Sequence, residues 1–313
     1  MNRAVLRIGT RGSKLALWQA DWVARQVEGL GVKSELVTIA TRGDKESAGP
    51  IAALGGEGIF TKELQKAVLD GRTDLAVHSL KDLPTEEIKG LALAAVPLRD
   101  SPHDALVSIQ GKRFAELPQG ARLGTGSLRR RCQLLHLRAD LQMLDIRGNV
   151  ETRLAKLDDG QYDAIILAEA GLARLGLAGR STEILSPSVM LPAVGQGALA
   201  VETRAGDRWT LEIVARIDDE EAHQSVLAER ALLATLRGGC LAPIAAWGRI
   251  EDDGRLHLSA CVLSADGSRR LTTDLLGNAA DAAAIGRHAA EQLLDQGAEK
   301  LIADARSVVK RKQ

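Results

Sequence analysis

Arginine and hydroxyl side chains collect in two segments that could bind several carboxylates. One segment runs from Thr125 to Arg131, and the other runs from Arg147 to Arg153. Both lie where a predicted strand passes into a predicted helix, a place where the helix dipole disfavours cations. A bound anion would resolve that conflict, because helix N-termini and guanidinium groups both bind carboxylate or phosphate. The alternative is a solvated basic face balanced by acidic neighbours.

Asp82 is a candidate acid–base group because of its place in the chain. It follows a predicted buried strand from Leu75 to His78, and α/β proteins build their sites at the carboxyl ends of strands. A carboxylate fixed there could move protons or stabilise a developing cation. Taken alone, an aspartate before Leu-Pro is more often a turn residue.

Cys240 is a candidate nucleophile. It follows a double glycine at the end of a predicted helix, and glycine both ends helices and lets the backbone turn tightly, so the cysteine lies on a loop. A thiolate is a good nucleophile, although an isolated cysteine is more often an inert packing residue. Cys132 and Cys261 are expected to be packing residues of that kind. Three widely spaced cysteines fit a reducing compartment without a disulfide framework.

Strands and helices that alternate along the first two thirds of the chain position these candidates. One strand leads into the turn Gly9–Ser13, and another leads into the turn Gly124–Ser127. Each turn contains Gly-Thr, a further glycine and a serine, and a helical pattern follows; Ser13 is expected to cap its helix. The repeated pattern predicts two similar α/β halves with largely parallel sheets.

The chain after about residue 218 follows a different pattern. A predicted helix from His223 to Leu236 precedes three strands joined by Asp-Gly turns, which are typical of antiparallel hairpins. A helix from Ala280 to Leu294 closes this unit, and the basic tail Lys310-Arg311-Lys312-Gln313 is expected to be solvated. The pattern predicts a small α+β domain with a three-stranded antiparallel sheet.

Composition and charge argue against several classes of protein. The chain has 313 residues, 45% of them hydrophobic, which predicts two or three domains of ordinary composition. Its net charge is zero and its aromatic content is only 2%, which disfavours nucleic-acid binding. We see no signal-peptide pattern and no apolar run long enough to cross a membrane, and therefore expect a cytoplasmic protein.

Common cofactor and metal motifs are absent from the sequence. It contains no Gly-x-x-x-x-Gly-Lys-Ser/Thr loop. The stretch from Gly195 to Ala200 fits a relaxed dinucleotide pattern but opens a strand rather than a helix, and we reject it. The six histidines show no metal-ligand spacing, so no metal is expected.

Four motifs together give the chain a resemblance to a known family. Over nearly its whole length it resembles porphobilinogen deaminase (hydroxymethylbilane synthase), with Ala242 standing where that family usually has a β-branched residue. The motifs are His78-Ser79-x-Lys81-Asp82-x-Pro84, Gly124-Thr125-x-Ser127-Leu128-Arg129-Arg130, Arg147-Gly148-Asn149-Val150-x-Thr152-Arg153, and the loop with Glu229-Arg230, Gly238-Gly239-Cys240 and Pro243.

The resemblance implies a transferase of tetrapyrrole and heme biosynthesis. Such an enzyme condenses four porphobilinogen molecules head to tail into hydroxymethylbilane and releases four ammonia. A dipyrromethane cofactor would be joined to Cys240 through a thioether, and Asp82 would manage the substrate cation and its protons. The residues implied to hold the cofactor are Lys81, Thr125, Ser127, Arg129, Arg130, Arg147 and Arg153. Those implied to bind substrate are Arg11, Ser13, Gln19, Arg147, Arg153 and Arg174.

The resemblance also implies how the chain divides into domains. Residues 1–97 and 197–216 would form a first doubly wound α/β domain, and residues 102–192 a second. Both would resemble the halves of periplasmic binding proteins. Residues 218–313 would form the α+β domain that carries the cofactor, and a monomer is expected.

One segment departs from the family. The polar, glycine-rich stretch from Thr41 to Gly58 is expected to be a lid, and Glu57 stands in it where relatives commonly carry lysine. A carboxylate aimed into a pocket of carboxylates would be repelled. We therefore expect Glu57 to face solvent.

Two other functions remain open. A solute-binding protein for an anion would also suit two α/β halves, although the missing signal peptide and the Gly-Gly-Cys loop disfavour it. Nucleic-acid binding through the arginine cluster is disfavoured by the zero net charge.

Replacing Cys240 by serine tests the covalent role of this thiol. The purified native protein should carry an adduct of two pyrrole units on Cys240, because a thiolate is the nucleophile that this loop offers. Cys240→Ser should lack both the adduct and the activity, and should unfold at a lower temperature because a bound group stabilises the fold. Intact-mass measurement and peptide mapping check this. Fully active protein with an unmodified Cys240 would contradict it.

Overall fold

The computed structural model describes residues 5–41, 61–239 and 242–311. The described chain forms two compact units. One unit contains the chain up to Asp100 together with Ala198–His223, and the other contains Ser101–Gly197 together with the chain from Gln224. No helix in these residues is both long and apolar enough to cross a membrane.

The first unit is built on a five-stranded sheet with the order β2-β1-β3-β10-β4. Strand β1 runs parallel to β2 and β3, whereas β10 runs antiparallel to β3 and β4. The strands are β1 (Leu6–Thr10), β2 (Ser34–Thr38), β3 (Leu75–Ser79), β4 (Leu91–Ala95) and β10 (Leu199–Arg204).

Helices cover both faces of this first sheet. Helix α1 (Lys14–Gly29) and helix α6 (Arg208–Val214) pack on the face that carries Leu6, Ile8 and Val77, and helix α2 (Lys62–Leu69) packs on the face that carries Ala76. Neighbouring strand residues point to opposite faces, so β3 is buried on both sides. The expected cap of α1 is confirmed, because the Oγ of Ser13 accepts a hydrogen bond from the backbone N–H of Ala16.

The second unit contains a sheet with the same plan, in the order β7-β6-β8-β5-β9. Strand β6 is parallel to β7 and β8, and β5 is antiparallel to β8 and β9. Helix α3 packs on one face, and α4 and α5 pack on the other. The elements are β5 (Asp104–Ser108), β6 (Arg122–Gly124), β7 (Gln142–Leu144), β8 (Ala164–Ala168), β9 (Glu183–Leu185), α3 (Leu128–Leu137), α4 (Val150–Asp158) and α5 (Glu169–Arg174).

A three-stranded antiparallel sheet in the order β11-β12-β13 belongs to the second unit. Its apolar face packs against helices through Leu232, Ile244, Leu258 and Leu293, all of them buried. The elements are α7 (Glu220–Thr235), β11 (Ile244–Ile250), β12 (Arg255–Leu263), β13 (Arg270–Asn278), α8 (Ala282–Asp295) and α9 (Ala298–Arg311).

The expected fold class is confirmed: two doubly wound α/β sheets and a three-stranded antiparallel sheet with helices. The sheets are largely parallel, as expected, and in each of them one strand, β10 or β5, runs antiparallel to its neighbours. Strand β5, the three-residue strand β9 and helix α9 were not predicted from the sequence. Periodicity is a weak guide for such short strands, because four or five apolar residues fit either a strand or a buried helix.

The close contact between α7 and α8 depends on a glycine. A Cβ built on Gly286 would collide with the carbonyl oxygen of Ala228 and would lie 2.8 Å from the Cβ of Ala231. We expect Gly286→Ala to lower the free energy of unfolding by about 1–3 kcal/mol, as overpacking does. Gly29→Ala is the matched control, because a Cβ at that helical position meets no atom within 4 Å. Thermal unfolding checks both variants, and equal stabilities would contradict the expectation.

Candidate active site

In the first unit, the candidate residues follow the carboxyl ends of parallel strands. Strands β1 and β3 end at the same edge of the sheet because they are parallel. Arg11 and Ser13 follow β1, and a 3₁₀ turn, Leu80–Asp82, follows β3. Lys81 and Asp82 are half-buried neighbours on that turn. This edge therefore brings a carboxylate and cationic groups into the region where α/β proteins bind ligands.

The 3₁₀ turn is anchored by backbone and side-chain hydrogen bonds. The backbone N–H of Leu80 donates to the carbonyl of Ala198 at 3.0 Å. One residue earlier, the Nε2 of Gln19 donates to the Oγ of Ser79 at 2.8 Å. Gln19 is buried in α1, so its amide holds the end of β3 where the turn begins.

In the second unit, three helices begin at the edge where β6, β7 and β8 end. Ser127 caps α3, with its Oγ 3.5 Å from the backbone nitrogen of Arg130, and Thr125 accepts a hydrogen bond from the N–H of Ser127 at 3.2 Å. Asn149 caps α4 by accepting from the N–H of Thr152 at 2.9 Å. The first turn of α3 contains no acidic residue, so its N-terminal N–H groups and dipole favour an anion there.

Arg129 and Arg130 are both buried on one carboxylate, that of Asp104. Arg129 Nη1 donates to Asp104 Oδ2 at 2.8 Å, and Arg130 Nη2 donates to Oδ1 at 2.7 Å. Gln196 Nε2 also donates to Oδ1, at 3.0 Å. Burial by itself would raise the pKa of Asp104, but the two guanidinium groups and these hydrogen bonds hold it well below its usual range. Two positive charges face one negative charge, so the cluster keeps a net positive charge.

The remaining candidate arginines differ in what they contact. Arg174 Nη2 donates to the carbonyl of Gly197 at 2.6 Å, and Arg153 Nε donates to the carbonyl of Gly148 at 2.8 Å. The guanidinium of Arg147 forms no hydrogen bond or ion pair with any other described residue. Its backbone is fixed, because the carbonyl of Arg147 accepts from Lys156 Nζ at 3.1 Å. Arg147 is thus a half-buried cation without a described protein counter-ion.

Cys240, Glu57 and nearly all of the expected lid lie outside the described residues. The chain that leads to Cys240 turns through Arg237 and Gly239, which have positive φ angles of 50° and 62°. The other two thiols are buried, and burial raises the pKa of Cys132 to about 12 and that of Cys261 to about 11. Their expected packing role is confirmed, because a thiol that stays protonated is a poor nucleophile.

Three polar residues at these edges were assigned no role from the sequence: Asp104, Gln196 and Ser79. Asp104 precedes the short apolar run Ala105–Val107, the one available hint that it begins a strand. Gln196 and Ser79 carried no signal of their own, because their partners lie far away in sequence.

The fold and these edges define an α/β protein whose cations lie at strand ends and helix N-termini. The family model "Porphobilinogen deaminase, dipyromethane cofactor binding domain" matches residues 6–212. The model "Porphobilinogen deaminase, C-terminal domain" matches residues 223–295. The chain belongs to the porphobilinogen deaminase family, and dipyrromethane is the cofactor of that family's matched domain.

Curated relatives match nearly the full chain. The porphobilinogen deaminase of Syntrophotalea carbinolica is 49% identical over 305 residues, covering 97% of this chain and 96% of the relative. That of Geobacter metallireducens is 47% identical and covers 98% of each. Among solved structures, the methionine-binding protein MetQ aligns with a TM-score of 0.43 and 16% identity over 74% of this chain and 94% of that protein.

Acid should weaken the Asp104 cluster in a way that Asp104→Asn removes. Because the folded-state pKa of Asp104 lies below its unfolded value, its stabilisation is full above the usual aspartate pKa. It is lost progressively as the pH falls from there toward the lower folded-state pKa. Breaking a buried pair costs about 3–5 kcal/mol, so Asp104→Asn should unfold at a clearly lower temperature than the native protein at pH 7. This difference in unfolding temperature should narrow toward pH 3. Asp253→Asn, which breaks an exposed pair with Arg255, is the control and should change little. A difference in unfolding temperature between the native protein and Asp104→Asn that does not change with pH would refute this account of Asp104.

Proposed function

We propose that the chain joins four porphobilinogen molecules head to tail into hydroxymethylbilane, with uptake of one water and release of four ammonia, on a dipyrromethane attached to Cys240. Family membership over nearly the full length supports the reaction. The observation that carries the assignment of residues is the half-buried guanidinium of Arg147, which has no counter-ion among the described residues.

The described residues fit a cofactor and a substrate that are rich in carboxylates. Arg147, the net positive charge left on the Asp104 cluster and the acid-free first turn of α3 occupy one edge of the second unit's α/β sheet. Guanidinium groups and helix N-termini are the usual partners of carboxylates. We assign the cofactor's carboxylates to Lys81, Thr125, Ser127, Arg129, Arg130, Arg147 and Arg153. We assign those of the substrate to Arg11, Ser13, Gln19, Arg147, Arg153 and Arg174.

Asp82 is proposed as the group that handles protons and cationic charge. Loss of ammonia from porphobilinogen leaves a cationic azafulvene, and a fixed carboxylate beside it lowers the energy of that charge. The same carboxylate can take the proton that is lost when the new bond forms and return it to a leaving amine. The dipyrromethane, when bound, supplies the pyrrole carbon to which the first substrate is joined. Lys81, next to Asp82 on the turn, would hold a carboxylate through its ammonium group.

We also propose a division into three domains and a cytoplasmic monomer. The domains would be residues 1–97 with 197–216, residues 102–192, and residues 218–313. Zero net charge and two buried, unpaired thiols support a protein that acts on a small molecule in a reducing compartment, without nucleic acid or membrane. The solute-binding alternative rests on likeness of fold alone, and no contact among the described residues favours it.

Arg147→Ala tests the assignment. Each porphobilinogen brings two carboxylates, so the loss of an uncommitted guanidinium should stall chain growth or block primer assembly. Native anion exchange and mass spectrometry, which separate enzyme carrying different numbers of pyrroles, should show a truncated ladder and at least about a tenfold lower turnover. Arg131→Gln is the control, because the described contact of that guanidinium is the carbonyl of Met143 at 3.4 Å. A normal ladder in Arg147→Ala would overturn the assignment.

A further inference from the structure

The end of β3 carries a buried histidine–carboxylate pair that the proposed reaction does not use. His78 is 5% exposed, and Glu202 of β10 is 6% exposed. The Nε2 of His78 lies 3.3 Å from the Oε2 of Glu202. Neither atom is aligned for a hydrogen bond with another described residue. The two side chains are therefore in contact without a directed hydrogen bond between these atoms.

The pair ties together three elements that are distant in sequence. In the register of β3 and β10, His78 lies opposite Ala200 and Glu202 lies opposite Ala76. His78 and Glu202 are thus diagonal neighbours on one face of the sheet, close enough for long side chains to meet. Helix α2 packs on this face, and its buried Gln65 donates from Nε2 to Glu202 Oε1 at 3.1 Å.

Such a pair is a poor way to gain stability. Burying a carboxylate and an imidazole carries a desolvation penalty, and apolar residues of similar size often stabilise a fold as well or better. Buried polar atoms without aligned partners are rare in folded proteins and point to a role other than stability. The place of the pair in the sheet indicates that role.

The pair lies directly before the turn that carries Lys81 and Asp82. Ser79, the residue after His78, is held on the opposite face of the sheet by Gln19. The next residue, Leu80, begins the 3₁₀ turn and donates its N–H to Ala198, which precedes β10. Two successive residues of β3 are therefore held from opposite faces, and β10 holds both β3 and the turn.

We propose that His78 and Glu202 are positioning residues that fix β3 against β10 and thereby place Asp82. This inference rests on the role proposed above for Asp82. Active sites need their catalytic groups within about 0.5 Å of the productive geometry. A misplacement of about 1 Å can lower the rate of the chemical step roughly 10²-fold. Loss of the pair lets β3 and the turn shift relative to β10, which affects the chemical step more than substrate binding.

Glu202→Gln and His78→Gln test this proposal in the full-length, primer-loaded enzyme. Each variant should lower kcat by about tenfold or more, while KM changes by less than about threefold and the mass of the covalent adduct stays the same. The double variant should lose little more than either single variant, because residues that act as a unit are not additive. Thermal unfolding selects the variants that are folded at the assay temperature. If Glu202→Gln does not fold, His78→Gln, which keeps the carboxylate that Gln65 contacts, decides the matter.

Arg7→Gln is the matched control, because it breaks an ion pair at the other end of β3. Arg7 forms an ion pair of 2.9 Å with the buried Asp74, which precedes β3. This variant should lower the unfolding temperature and leave kcat unchanged. If the His78 and Glu202 variants lose no more activity than Arg7→Gln, or if their loss appears in KM alone, the positioning role is wrong.

Asp82→Asn, measured in parallel, separates this inference from the proposed function. It should keep the adduct and lose about 10²-fold or more in turnover. Near-normal turnover in Asp82→Asn would remove the role of Asp82 and, with it, the basis of this inference. If Asp82→Asn is inactive while Glu202→Gln is fully active, the positioning role of His78 and Glu202 is wrong and the proposed role of Asp82 stands.

Discussion

The buried carboxylate of Asp104 is the interaction on which the second unit's candidate site depends. It begins β5 and accepts hydrogen bonds from Arg129, Arg130 and Gln196. The two guanidinium groups also donate to the carbonyls of Leu191 and Ile166. Through these contacts, the Asp104 cluster joins the start of α3, strand β8 and the segment that leads to β10. Without it, the partners of these two buried cations in the described part of the chain would be backbone carbonyls, a strongly unfavourable arrangement.

This interaction also divides the arginines of the basic segments into two kinds. Arg129 and Arg130 are held by a protein carboxylate, whereas Arg147 meets no counter-ion among the described residues. Held guanidinium groups present their remaining N–H donors in one geometry, and an uncommitted group supplies charge that a ligand can use. Under the proposed function, this combination suits a ligand whose carboxylates increase in number as the chain of pyrroles grows.

The two α/β sheets share one arrangement of parallel and antiparallel strands. In each sheet, three strands connected through helices run parallel, and one antiparallel strand is inserted before the last strand. An antiparallel strand begins at the edge where its parallel neighbours end. Within the second unit, the first residue of β5 therefore reaches the edge where the capped helices begin. Within the first unit, the start of β10 reaches the edge that carries the 3₁₀ turn. This explains how Asp104 and the carbonyl of Ala198 come to support groups that follow other strands.

The sequence alone determined what depends on neighbouring residues. It located the cap at Ser13, the turn after β3, the glycine-rich end of α7 and the antiparallel hairpins, because caps, turns and hairpins are set by a few adjacent side chains. Motif spacing alone also indicated the family, which the matches at 49% and 47% identity establish. The tertiary structure decided which polar groups hold one another. Asp104 is 25 residues away from Arg129, and Gln65 is 137 residues away from Glu202. No periodicity connects such pairs, because they meet only when strand order and register bring distant segments to one edge of a sheet.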